Sequence, residues 1–179
     1  MATTSHTMSF SKPEMSGAEV LRLKHEWHQL AVRRRHMSGA LKSVMTPILR
    51  RHGFTGSCPR FRRIKPERYD LFMFNFNNGH ASFVIEIGQC TPDWWRRPFS
   101  AYVPPEKLYP CLLPKPERAF ILPRPQLLTA ADCFQFGDAK ALADYRRLAE
   151  SFVPDTEKAI AMFDDFAHVE KLTEIFDWA

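Results

Sequence analysis

The chain has 179 residues, of which 45% are hydrophobic and 15 are Phe, enough to bury one good core in a single domain. No run of about eighteen uncharged apolar residues occurs, which argues against a membrane span, and residues 1–15 (MATTSHTMSFSKPEM) lack the apolar stretch of a secretory signal and read as a tail. The net charge of +5 conceals a split: residues 1–68 carry 14 Lys+Arg against 4 Asp+Glu, and residues 69–179 carry 11 against 16. Such a split suits a nucleic-acid face, or two halves of one domain that neutralise each other.

The domain is expected to run from residue 16 to residue 179. Ser16-x-x-Glu19 is a capping-box pattern, and Val20, Leu23, Trp27, Leu30 and Ala31 follow at helical spacing. A second helix is expected in SGALKSVMTPILRRHGF, with Leu41, Val44, Met45, Ile48 and Leu49 on one face and a kink at Pro47. Gly53 supplies a left-handed stop, and Phe54 is placed to pack back on the last turn. A strand over Arg60–Ile64 and a turn at Pro66-Glu67 lead into DLFMFNFNNGHASFVIEIG, residues 70–88. Its alternation puts Phe72, Phe74, Phe76, Ala81, Phe83, Ile85 and Ile87 on one apolar face. Asn78-Gly79 predicts a two-residue type I′ turn, which would pair Asn77 with His80, Phe74 with Phe83, Phe72 with Ile85 and Leu71 with Glu86.

From Pro92 to Pro125 the chain changes character: nine of its fourteen prolines fall there, which excludes a central strand. RAFIL and DCFQF are the credible short strands in and after this stretch, both as edge strands. Helices are expected again in DAKALADYRRLAESF, DTEKAIAMFDDF and HVEKLTEIF. The fold class is therefore α+β: an antiparallel sheet of four to six strands, built on a meander and hairpin, with helices on one face.

The helix end LRRHGF, the strand bearing Phe61-Arg62 and the hairpin FNFNNGHASFVIEIG together resemble the small bacterial domain-of-unknown-function family 4304. Gly53-Phe54, Phe61-Arg62, Phe74-Asn75-Phe76 and Phe83-Ile85-Gly88 occupy the places of that family's motifs. Asp93 to Trp95 and AMFDDF extend the likeness, which spans roughly residues 38–176. Asn77 departs from it, standing where Gln is common. The resemblance implies a compact α+β domain, and a role as a bacterial accessory or toxin-immunity protein.

Little in the chain points to catalysis. Cys58, Cys90, Cys111 and Cys133 form no CxxC and suggest neither zinc nor disulfides, as in a cytoplasmic protein. The seven His are scattered, Asp164-Asp165 point about 100° apart on a helix, and no Gly-rich phosphate loop exists. No enzyme, metal or cofactor is expected. The expected function is a non-catalytic protein-binding module, in its specific form an immunity protein that neutralises a cognate toxin. Its site is expected in DWWRRPFSAYVPP, with Trp94, Trp95, Arg96 and Arg97, and on the outer hairpin face at Asn75 and Glu86. The alternative is nucleic-acid binding by Arg33, Arg34, Arg35, Arg60, Arg62 and Arg63, interleaved with Phe54 and Phe61. No membrane partner is implied, and the chain is expected as a monomer or homodimer.

Overall fold

A computed structural model describes residues 15–96, 102–114, 117–121 and 133–164. The first element, α1, spans Gly17–Arg51 as one continuous helix rather than the two expected. Ser38-Gly39, which reads as a start signal, lies inside it, and so does Pro47, which withdraws one N–H from the ladder without ending it. At the other end the capping box forms: the Glu19 carboxylate accepts from the Ser16 amide at 2.8 Å, and the Ser16 hydroxyl accepts from the Glu19 amide at 3.3 Å. At the C-terminus Gly53 takes φ +81°, the Gly53 amide bonds the Arg50 carbonyl, and the Phe54 amide bonds the Leu49 carbonyl. This is a Schellman stop, with Phe54 buried against the helix it ends.

Among the described residues, six strands make one antiparallel sheet: β1 (Thr55–Ser57), β2 (Arg60–Ile64), β3 (Tyr69–Phe76), β4 (Ser82–Cys90), β5 (Arg118–Ile121) and β6 (Phe134–Gln135). The first four form a meander, and β5 and β6 both pair with the free side of β4, at Ile85–Gly88 and Ser82–Phe83 respectively. The hairpin register differs from the expected one by two residues. Phe74 pairs with Ile85 and Phe76 with Phe83, and the Asn77 amide bonds the Ser82 carbonyl across a longer loop. The Asn77 side chain accepts from the Gly79 amide at 3.1 Å, a local turn that displaces the type I′ geometry. A shift of two leaves every side chain on its expected face.

The inner face is aromatic. Phe61, Phe72, Phe74, Phe83 and Phe134 pack edge-on or stacked, at 5.1–6.5 Å between ring centres. Met37, Leu41, Met45, Ile48 and Leu49 of α1 cover this face. They are joined by residues of α2 (Leu142–Ser151) and α3 (Val153–Ala161), where Pro154 sits in the first turn of α3. No described helix is long and apolar enough to cross a membrane.

A candidate partner-binding groove on the outer face

The outer face of the sheet carries Arg60 and Arg62 from β2, Leu71, Met73 and Asn75 from β3, Val84, Glu86 and Gly88 from β4, and Arg118 and Phe120 from β5, as the strand pairing fixes. No helix covers it. The proline-rich segment does, at one end: Trp94, Leu108 and Leu113 form a second core with Leu71 and Cys90. Gly88 makes this approach possible. A Cβ there would lie 2.9 Å from Leu113 Cδ1, 3.2 Å from the Glu117 carbonyl oxygen and 3.3 Å from Pro110 Cα.

Where this segment meets β2 it leaves a groove of about 560 Å³, lined by Arg60, Arg62, Lys107, Tyr109 and Leu112 among others. The Arg60 guanidinium lies over the Tyr109 ring, 4.2 Å from its centre. Pro104, Pro105 and Pro110 restrain the wall opposite, flanking two short 3-10 turns, Pro105–Lys107 and Pro110–Leu112. Tyr102 near the groove is 62% exposed. Arg60 and Tyr109, on a wall restrained by prolines, make an amphipathic surface on which the Arg60 cation is already oriented.

Toward the β5 side, three neighbouring strands bring three polar side chains together. Asn75 Nδ2 donates to Glu86 Oε2 at 3.0 Å, and Arg118 donates to Glu86 Oε1 at 3.2 Å. Glu86 is fully buried, and burial raises its carboxyl above the usual range, opposed by Arg118 and then by Asn75. Exposed Cys111 lies within the fields of Glu86, Arg118 and Arg60; burial first and Glu86 second raise its thiol, which keeps it protonated and poorly nucleophilic.

The candidate residues therefore separate. Asn75 and Glu86 are bonded to each other. Trp94 is buried in the second core, where it anchors the segment and offers a partner nothing. Arg96 is exposed, while Arg97 and the Trp95 side chain lie outside the described residues. Arg60 and Arg62 line the groove, whereas Arg63 points to the inner face and is bound to buried Asp70. Arg33 and Arg35 are exposed on α1, on the opposite side of the sheet, and Arg34 donates to the Asn77 carbonyl. The basic residues do not form one surface. Sequence reasoning treated the proline-rich segment and the basic strand as separate sites, and it did not single out Tyr109 and Lys107. The glycine at position 88, inside a strand, was the available signal of a close approach.

Among the described residues, no group of three His, Cys, Asp or Glu side chains is placed to hold a metal. A family model described as "Domain of unknown function (DUF4304)" matches residues 45–161, which takes in the whole sheet, α2, α3 and the last turns of α1. No curated protein and no solved structure matches the chain.

Proposed function

The chain belongs to the DUF4304 family, and from that premise we propose that it is a non-catalytic protein-binding module that docks its partner in the groove between β2 and the proline-rich segment. The observation that carries this reading is the Arg60 guanidinium held on the Tyr109 ring in a groove whose opposite wall is restrained by Pro104, Pro105 and Pro110. Arg and Tyr dominate binding energy at protein interfaces, and a preformed wall spares the ordering cost of docking. The cations Arg60, Arg62 and Lys107 outnumber the one acid of the lining, Glu106, and so favour an acidic partner segment, with Tyr109 and Leu112 as its apolar footing.

In its specific form the proposal is that the chain is a bacterial immunity protein that neutralises a cognate toxin in the cytoplasm. The test is co-expression with the product of the adjacent reading frame. Growth rescued by the wild-type chain and lost with Arg60→Glu and with Tyr109→Ala supports the reading. An adjacent product that is harmless, or rescue unchanged by both substitutions, rejects it.

Nucleic-acid binding is a second reading of the same groove, favoured by Arg62 and Lys107 beside a cation-stacked tyrosine. It requires affinity for oligonucleotides that falls steeply with salt, with a log–log slope of several units. No binding at about 50 mM salt removes it.

A further inference from the structure

The apolar stripe of α1 does not stop where the sheet stops. Met37, Leu41, Met45, Ile48 and Leu49 share one helix face and are buried. At about 100° per residue, Val20, Leu23, Trp27 and Leu30 continue that same face through the first half of the helix. There the domain supplies little cover. Trp27 is 56% exposed and Val20 36%, and among the described residues it is the hairpin tip at Gly79–Ala81 that approaches, forming one wall of a second groove of about 590 Å³ along Leu23, Trp27 and Leu30. The spacing 20, 23, 27, 30 alternates three and four, as in a coiled-coil seam. The charges are ordered along the same segment: Glu19 in the first turn, and Arg33, Arg34 and Arg35 about four turns later.

We propose that this half of α1 pairs antiparallel with the same half of a second copy of the chain, about a two-fold axis near residue 25. In that register Val20 faces Leu30 of the second copy and Leu23 faces its Trp27, so two exposed layers on each side become four closed ones. Glu19 comes beside Arg33 of the second copy, once at each end of the pair, and these two opposite-charge contacts outnumber the single approach of Glu26 to Glu26 at the axis. A parallel pair would instead set Arg33–Arg35 of one copy against those of the other. The contact is independent of the β2 groove, since α1 covers the inner face and the groove lies on the outer one.

Sedimentation equilibrium of the full chain is the test. At about 100 μM, as suits an interface at the small end of the range, the wild-type chain should sediment at twice its 20.8 kDa mass. Trp27→Glu should weaken the dimer by about thirtyfold or more while leaving the thermal melt of the diluted monomer in place, because Trp27 is exposed there. Arg33→Glu, which leaves the Ser16–Glu19 cap in place, should also weaken it, and adding Glu19→Arg should recover association relative to Arg33→Glu alone, a result that antiparallel self-pairing explains and loss of the cap does not. A wild-type chain that stays at 20.8 kDa overturns the proposal, and so does a dimer indifferent to Trp27→Glu or a charge swap that fails to restore association.

Discussion

Arg63 and Asp70 sit opposite each other on β2 and β3, and the arginine Nε donates to Asp70 Oδ2 at 2.7 Å. The carboxylate is fully buried, and its other oxygen is 3.2 Å from Arg68 Nε and accepts from Gln89 Nε2 at 2.8 Å. Gln89 also donates to the Phe163 carbonyl, and the Arg63 guanidinium lies 5.0 Å from the Phe54 ring centre. One acid thus ties the end of α1, three strands and the residues just after α3 together. Asp70→Ala leaves Arg63 without its buried counter-charge and should cost about 3–5 kcal/mol in urea unfolding. Asp164, which meets the same two arginines from a 72% exposed position, should cost well under about 1 kcal/mol when replaced by Ala. Similar losses from the two substitutions would show that the buried acid is not the organising group.

Neighbouring positions on β3 should respond differently. Phe74 is 1% exposed and meets Phe61, Phe72 and Phe83 edge-on, so Phe74→Ala should cost roughly 3–5 kcal/mol and depress soluble expression. Asn75 is half-buried on the outer face, and its loss removes one donor from Glu86, a cost of about 1–2 kcal/mol. Leu71, also on the outer face but beneath the proline-rich segment, should behave like a core residue at about 2–5 kcal/mol on truncation to Ala. Thermal melts of the three variants check the order.

The Glu86 carboxyl has a definite pH signature. Its pKa is raised on folding, chiefly by burial, so the native state holds its proton more tightly than the unfolded chain. The favourable contribution is therefore present below the ordinary carboxylate range and is lost as pH rises through the raised value. Glu86→Gln removes that titration. The stability of the variant relative to wild type should improve between about pH 4 and pH 7, even though Arg118 loses its counter-charge. A difference between the two melts that stays flat across that range contradicts the assignment.

The inner half of the fold was legible because period-two alternation survives errors of register: a loop two residues longer than expected moved the pairs and left Phe72, Phe74, Phe83 and Ile85 on the same face. Caps were equally legible at Ser16 and Gly53, where the signal is local. Ser38-Gly39 misled, since burial of Met37 and Leu41 outweighs two poor helix formers. The candidate groove was not legible as one site. Residues 60 and 109 are far apart in the chain, and only the path of the proline-rich segment over Gly88 brings them into contact. Arg63 shows the same limit from the other side: it reads as one more cation in a basic run until Asp70 is found opposite it.

That path makes Gly88 the position at which fold and site are coupled. Gly88→Ala sets a methyl group 2.9 Å from Leu113 Cδ1, which can swing aside, but also 3.2 Å and 3.3 Å from the backbone at Glu117 and Pro110, which must move. The inner core is untouched, because Gly88 points outward with Glu86. Global stability should fall by about 1–3 kcal/mol, the usual cost of overpacking, with the larger branched side chain of Gly88→Val at or above the upper end. The more diagnostic change is local. Lifting the segment separates Tyr109 from Arg60, so amide exchange should accelerate over residues 108–113 while the amides of Phe72 and Phe74 stay protected. Any partner bound in the groove should be lost together with that protection. Exchange that rises equally in β3 would mean the segment is part of the same cooperative unit as the sheet, and Arg60 would then be held by the whole fold rather than by one strap of prolines.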